Sequence, residues 1–199
     1  MTEPISSLYL EAVLRFQNLL EQAQQTDLPE PTAVSLATVS TTGRPEVRTV
    51  LLKSADTNGC VFYTNTHSRK GRALSAHPVA SLCCFWQPLL TQVIIEGTVQ
   101  LVAAEEADIY WRSRPRNSQL GAWASEQSEP LKSRAALEQR IEAYEKQFSG
   151  ESVPRPPHWS GYRIKPDLIE FWRSKPGRLH ERERYLCEAG VWRRFLLNP

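Results

Sequence analysis

Cysteine is scarce and unpatterned in this 199-residue chain. Cys60, Cys83, Cys84 and Cys187 form no C-x-x-C pair, and no histidine lies close enough to complete a familiar zinc pattern. No metal site is expected, and the four are read as reduced, mostly buried thiols. Long hydrophobic runs are missing too. The longest, Val79 to Leu90, is broken by Gln87 and Pro88 and falls short of the about 20 apolar residues a membrane-crossing helix needs. The first residues, Met-Thr-Glu-Pro-Ile-Ser-Ser, lack the basic start and apolar core of a secretory signal, so a cytoplasmic location without membrane contact is expected. Charge of one sign is not in excess: 24 Lys plus Arg face 22 Asp plus Glu, a net +2 too small to imply nucleic acid as a partner. There is no G-x-S-x-G, H-E-x-x-H, Walker loop or G-x-G-x-x-G, which removes the common hydrolase, metalloprotease, P-loop and Rossmann readings.

What the chain has is a globular composition, 41% hydrophobic and 23% charged, in a length suited to a single domain over 1–199. Its cations are skewed. Eighteen of the 24 are arginine, the cation suited to bidentate contacts with phosphates and carboxylates, so an anionic small ligand is expected. The spacing of Leu10, Val13, Leu14 and Leu20 predicts a helix over 6–25. Strands are predicted over 33–40, 46–53, 60–64, 79–86 and 92–102, with turn signals at Thr42-Gly43-Arg44-Pro45 and Asp56-Thr57-Asn58-Gly59. A short helix over 68–76 has Ser68 as its N-cap and stops before Pro78. A helical insertion spans 104–148, around a segment, Ser113 to Trp123, that reads as neither helix nor strand. After a proline-rich connection over 149–159, closing strands are predicted at 161–165, 168–172, 185–188 and 191–197. Short antiparallel strands with peripheral helices give an α+β domain whose sheet closes as a barrel.

Four clusters can carry chemistry. Arg48-Thr49-Val50-Leu51-Leu52-Lys53 places a cation at each end of a strand, on opposite faces, to serve two anions or simply to be solvated. Ser68-Arg69-Lys70 opens a helix, where free N–H groups favour an anion; an exposed basic turn reads the same way. Tyr110, Arg114, Arg116 and Ser118 lie on or beside a segment stiffened by Pro115 and can wrap a phosphate, unless the arginines pair with Glu105, Glu106 or Asp108. Arg178, His180 and Arg182 alternate, so an extended segment would show two cations and an imidazole on one face, near Trp172. Arginine-rich anion sites and aromatics without a nucleophile point to a phosphorylated aromatic cofactor that the protein orients.

At these residues the chain resembles the pyridoxine/pyridoxamine 5′-phosphate oxidase family. Ile169-Glu170-Phe171-Trp172 followed by Arg178-Leu179-His180-Glu181-Arg182 is the most specific block. Arg48 to Lys53, Phe62-Tyr63-Thr64-Asn65, Ser68-Arg69-Lys70, Ser113-Arg114-Pro115-Arg116, the run from Ser118 to Ser125 and Gln127-Ser128 match further blocks in the family's order. The resemblance runs from about Glu30 to Pro199. It implies an FMN-binding split β-barrel that works as a homodimer, with two FMN sites at the subunit interface built from both chains. It also implies that FMN is held by Arg48, Thr49, Val50, Leu51, Leu52, Lys53, Tyr63, Thr64, Arg69, Lys70, Gln92, Gln127, Ser128, Trp172 and Arg182, with Arg48, Arg69 and Lys70 on its phosphate. Lys53, Tyr110, Arg114 and Ser118 would grip the substrate phosphate, and Arg178 and His180 would lie against the pyridine ring as the catalytic pair. Glu181 stands where the family commonly has Asp. The lead before the first helix is about five residues, so the resemblance does not extend to a lid made by a longer N-terminal arm.

The activity so implied is oxidation of the 4′ carbon of pyridoxine or pyridoxamine 5′-phosphate, with hydride passing to FMN and O2 taking the electrons to give H2O2. Two alternatives stand beside it. One is a phenazine-pathway oxidase on the same barrel, which does not usually keep the Ser-Arg-Pro-Arg and Gly-Ala-Trp-Ala-Ser blocks; the other is a non-catalytic protein that holds flavin or pyridoxal phosphate.

Overall fold

An apolar stripe folds the first helix, α1 (Ser7–Gln24), which buries Ala12, Val13, Phe16 and Ala23 against the sheet. The computed structural model describes residues 5–199; the expectation about the lead before α1 falls largely on 1–4, outside the described residues. Next come β1 (Ala33–Val39), β2 (Pro45–Leu51), β3 (Ser54–Asp56) and β4 (Gly59–Asn65), then α2 (Arg69–Ala76), β5 (Val79–Trp86) and β6 (Thr91–Leu101). Three helices follow, α3 (Ala104–Ser113), α4 (Arg116–Ala124) and α5 (Arg134–Gln147), and β7 (Trp159–Arg173), β8 (Glu181–Glu188) and β9 (Val191–Leu197) close the chain.

All pairings are antiparallel, in the order β2-β1-β5-β6-β7-β4-β3. The two ends of that path, β2 and β3, are consecutive in sequence, separated only by Leu52 and Lys53. The amide of Leu52 donates to Thr32 O at 2.9 Å and that of Lys53 to Val61 O at 2.8 Å, so the sheet curls until its edges meet. The 15-residue β7 divides its neighbours. Its first half pairs with β4, its second half with β8, and β8 carries β9. This is a split barrel of mainly antiparallel β structure with peripheral helices, as expected. Its interior holds Phe16, Leu36, Phe62, Leu82, Trp86, Ile95, Ile164, Ile169 and Tyr185, all nearly sealed from solvent. Each such side chain contributes about 1.5–3 kcal/mol relative to exposure.

Four expectations are corrected. The Ser113–Trp123 segment contains α4, whose helix is held by packing rather than propensity: Leu120 and Ala124 are buried, and Gln119 Nε2 donates to Trp111 O at 2.8 Å. The closing strands 161–165 and 168–172 are one strand, with Pro166 tolerated at an irregularity where the register against β6 shifts between Glu96 and Gly97. The segment from Arg178 to Arg182 is not extended throughout. Pro176 to Arg178 form a 3-10 turn with Gly177 at φ 68° and Arg178 at φ 60°, because 174–180 must reverse the chain between the hairpin partners β7 and β8. Of the four free cysteines, Cys60 and Cys84 are buried but Cys83 and Cys187 are half-buried.

Candidate active site

A cavity of about 640 Å³ opens where β2, β4 and α2 meet α3 and α4. From the expected cofactor set it is lined by Thr49, Val50, Leu51, Lys53, Tyr63, Thr64, Lys70 and Gln127, and from the expected substrate set by Lys53, Tyr110, Arg114 and Ser118. Chain reversal at the ends of β2 and β4 places these side by side. Leu52 points instead into the core, 3% exposed.

Lys70 is the buried cation of this cavity. Ser68 caps α2 by accepting from the Gly71 amide at 3.3 Å, which sets the first turn so that Lys70 points inward. Its Nζ donates to Gln127 Oε1 at 2.7 Å, Thr64 Oγ1 at 3.1 Å and Ser68 Oγ at 3.3 Å, all neutral oxygens. Burial, reinforced by the nearby Arg48 guanidinium, pulls its pKa down to about 8. A buried ammonium with only neutral partners is poised for an anion.

Arg48 and Arg69 stand differently. Both pair with Glu46, at 3.1 Å and 2.5 Å, while Arg48 also donates to Thr38 Oγ1 at 2.7 Å and Leu36 O at 3.2 Å. Burial lowers the Arg48 pKa, partly offset by Glu46. Ser128, at φ 77°, accepts from the Arg69 amide at 3.2 Å. The expected trio on a cofactor phosphate thus comes with a carboxylate of its own, which the sequence reading did not anticipate.

On the opposite wall three aromatic rings lie nearly parallel: Tyr63 stacks on Tyr110 at 4.0 Å and on Trp159 at 5.2 Å. A Cβ at Gly161, across from Tyr63 in the β4–β7 register, would fall 2.7 Å from the Tyr63 ring, so glycine there admits the stack. Arg114 is half-buried, donates to Ser118 O at 3.2 Å, and has its pKa lowered by burial, partly offset by Tyr110. Arg116 is not part of the cavity; it turns away to Glu145 and to the carbonyls of Phe148 and Glu151. The acids weighed as partners go elsewhere, Asp108 to Arg155 and Glu106 to Arg163.

The remaining expected residues form a second group outside this cavity. Gln92, Trp172 and Arg182 are in register across β6, β7 and β8. Trp172 and Arg182 line another cavity, of about 1070 Å³, beneath α1. Arg178 is exposed on its turn. The His180 ring lies 4.6 Å from that of Trp172, and its Nδ1 accepts from the Lys175 amide at 3.2 Å. One chain therefore brings the expected set together as two clusters, not one. Sequence reasoning missed Trp159, Asn65 and Ser125 in the cavity wall, and Glu46 and Glu170 behind the arginines. The signal for Trp159 was its place at the start of a strand after a proline-rich stretch, which was read as connection.

Comparison with known proteins bears on both clusters. Residues 20–148 match the family model described as pyridoxamine 5′-phosphate oxidase, and residues 159–199 match the pyridoxine 5′-phosphate oxidase C-terminal dimerisation region. A pyridoxine/pyridoxamine 5′-phosphate oxidase from Alkalilimnicola ehrlichii is 55% identical over 191 residues, 95% of this chain and 97% of that one. The crystal structure of PhzG from Burkholderia lata, in complex with tetrahydrophenazine-1-carboxylic acid, has a TM-score of 0.89 at 31% identity, covering 100% of this chain and 99% of that one. A pyridoxamine 5′-phosphate oxidase-related, FMN binding protein from Nostoc punctiforme shares the fold, with a TM-score of 0.77 at 19% identity over 93% of this chain and 96% of that one.

Proposed function

The chain belongs to the pyridoxine/pyridoxamine 5′-phosphate oxidase family, and from that premise we propose that it oxidises the 4′ carbon of pyridoxine 5′-phosphate or pyridoxamine 5′-phosphate to the aldehyde of pyridoxal 5′-phosphate. FMN is its cofactor and O2 the electron acceptor. The alcohol and O2 give aldehyde and H2O2; the amine also consumes water and releases ammonia. The observation that carries this reading is one cavity lined by Lys53, Lys70 and Arg114, three cations with no carboxylate partner among the described residues: enough positive charge for two anions, as a phosphorylated cofactor and a phosphorylated substrate require.

The residues present fit FMN. Lys70, helped by Arg48 and Arg69, would take its phosphate, and Thr49, Val50, Leu51, Lys53, Tyr63, Thr64, Gln127 and Ser128 would hold the rest. When bound, FMN supplies the two-electron chemistry that no side chain here provides. The chain's own part is to bind and orient. Lys53, Tyr110, Arg114 and Ser118 hold the substrate phosphate. Arg178 and Arg182 favour electron-rich states of substrate and cofactor. His180 acts through one atom: with Nδ1 occupied by the Lys175 amide, the neutral ring carries its hydrogen on Nε2 and meets the substrate as a donor there.

The match to the family's C-terminal dimerisation region supports a homodimer. We place the active site at that interface, because Trp172, Arg178, His180 and Arg182 lie outside the cavity of their own chain and a second copy can supply them. Among the described residues no helix is long and apolar enough to cross a membrane. The four free cysteines suit the reducing cytoplasm, where we place the protein. The likeness to PhzG keeps a polycyclic carboxylate as a second substrate reading, but identity to the oxidase, 55% against 31%, favours the pyridine substrates. The test is to purify the protein, identify the flavin released on denaturation, and follow aldehyde and H2O2 formation in air with both substrates. A colourless protein that takes up no FMN sinks the proposal; FMN binding without peroxide leaves a storage protein instead.

A further inference from the structure

We propose that Trp159, backed by Trp111, is the positioning residue that mounts the Arg114 guanidinium for a phosphate-bearing substrate. This rests on Arg114 being the substrate-phosphate grip and deepens that reading. The Arg114 guanidinium carbon lies 4.7 Å from the Trp159 ring centroid and 5.3 Å from that of Trp111, and the two indoles meet edge to face at 4.9 Å. Beyond these faces its one hydrogen bond among the described residues is to Ser118 O. A half-buried arginine is more often held by a carboxylate, which would cancel the charge a phosphate needs. An indole ring attracts the cation without neutralising it, so the guanidinium keeps its full charge, and the N–H groups that no carboxylate takes up are left for a phosphate.

The mount is itself fixed. Trp111 is 2% exposed and its Nε1 donates to Val153 O at 2.8 Å; Trp159 is 4% exposed and opens β7 opposite Asn65. Trp159 also continues the stack through Tyr63 and Tyr110, at 6.1 Å from the latter. One indole therefore ties the phosphate grip to the tyrosine expected on the FMN side.

The experiment uses FMN-loaded enzyme with pyridoxine 5′-phosphate as substrate and inorganic phosphate as competitive inhibitor. In Trp159→Leu, KM and the phosphate inhibition constant are expected to rise together by about tenfold, with kcat within about threefold and FMN still stoichiometric. Trp159→Phe, which keeps an aromatic face, should restore both to within about threefold of the parent. Values in Trp159→Leu within twofold of the parent overturn the proposal, as does Phe that rescues nothing while the melting temperature falls equally in both variants. If Trp159→Leu does not fold, Arg114→Lys reads the same point: it keeps the charge but loses the flat guanidinium, and an unchanged KM overturns the mount. If Arg114→Ala also leaves KM and phosphate inhibition unchanged, Arg114 is not the grip, and it is the underlying assignment that fails.

Discussion

Glu170 and Arg182 are joined by a two-pronged contact in which Nε and Nη2 of the arginine reach the same carboxylate oxygen at 2.8 Å and 2.7 Å. The other oxygen of Glu170 takes the matching pair from Arg184, at 3.1 Å and 2.7 Å. Glu170 is 2% exposed, so one sealed carboxylate serves two guanidinia and the trio keeps a net positive charge. Arg182 is paired with Trp172 across β7 and β8, so this contact sets the rotamer of the cation beside the second cluster. Glu170 is therefore as much a part of the site's construction as the arginines that were recognised first.

Replacing Glu170 with Gln should destabilise the protein strongly, because two arginines are left facing a neutral amide. Removing one partner of a buried pair costs about 3–5 kcal/mol, and the low end applies here since both guanidinia are about a third exposed. Burial alone would raise the Glu170 pKa, but the bonds from Arg184 and Arg182 outweigh it and hold it below its ordinary 4.5. A depressed folded pKa means that the stabilisation is complete above that ordinary value and is lost as pH falls through the folded one. Thermal unfolding of the parent should thus show an acid-side loss that Glu170→Gln lacks; parallel pH profiles would show that the carboxylate charge is not what the trio needs.

Lys70 predicts the opposite dependence for cofactor affinity. Its pKa of about 8 in the FMN-free protein, depressed by burial and Arg48, means that the ammonium is lost above that pH. For the fold alone, stability from this group rises between about 8 and the ordinary 10.5, since the unfolded chain then binds more protons. With the ammonium as the proposed partner of the FMN phosphate, the dissociation constant should rise by up to about tenfold per pH unit above 8, and Lys70→Met should abolish that slope. Titration of FMN fluorescence from neutral pH to about one and a half units above that pKa reads both; a flat parent profile removes Lys70 from the phosphate site.

The strands were legible because period two and the turn residues are local signals: β5 and β9 have the expected bounds, and Ser68 caps α2 as read. The helix α4 was not, since its first turn contains no acid and what holds it is tertiary: Leu120 packs in a cluster with Phe148, Val153 and Trp159, and Gln119 donates to the Trp111 carbonyl of the preceding helix. The candidate site was legible as residue types in ordered blocks. Its division into two clusters was not, because that depends on β7 pairing with β4 along one half and β8 along the other. Glu46 and Glu170 were passed over for a related reason: a carboxylate between two arginines looks in sequence like an ordinary strand position.

Dimer formation should be tied to flavin occupancy. Phe85 on β5 is 55% exposed, and Val47 on β2 is 71% exposed, an apolar display on the two strands that flank β1. Phe85→Glu places a charge there without touching the cavity, whose lining does not include Phe85. Light scattering should give a dimer for the parent and, for the variant, the 22.7 kDa of one chain with FMN largely lost. A monomeric variant that keeps FMN at parent affinity would remove the interface from the site.

If, as proposed, Arg114 and Arg178 hold different ends of the same substrate, they should separate in kinetics. In that arrangement Arg114 would meet the phosphate equally in ground and transition states, so Arg114→Ala should mainly raise KM, whereas Arg178 would lie beside the reacting carbon and its loss should lower kcat as well. Backbone geometry supplies a control for Arg178. At φ 60° a non-glycine residue carries about 1–2 kcal/mol of strain, so Arg178→Gly should hold or raise the melting temperature while kcat falls. Stability gained with activity lost is the pattern of a residue kept for function at a strained turn. Arg178→Gly with kcat and KM within about twofold of the parent, as for a surface change of under about 0.5 kcal/mol, would make Arg178 an exposed turn cation and withdraw the case for His180 two residues on.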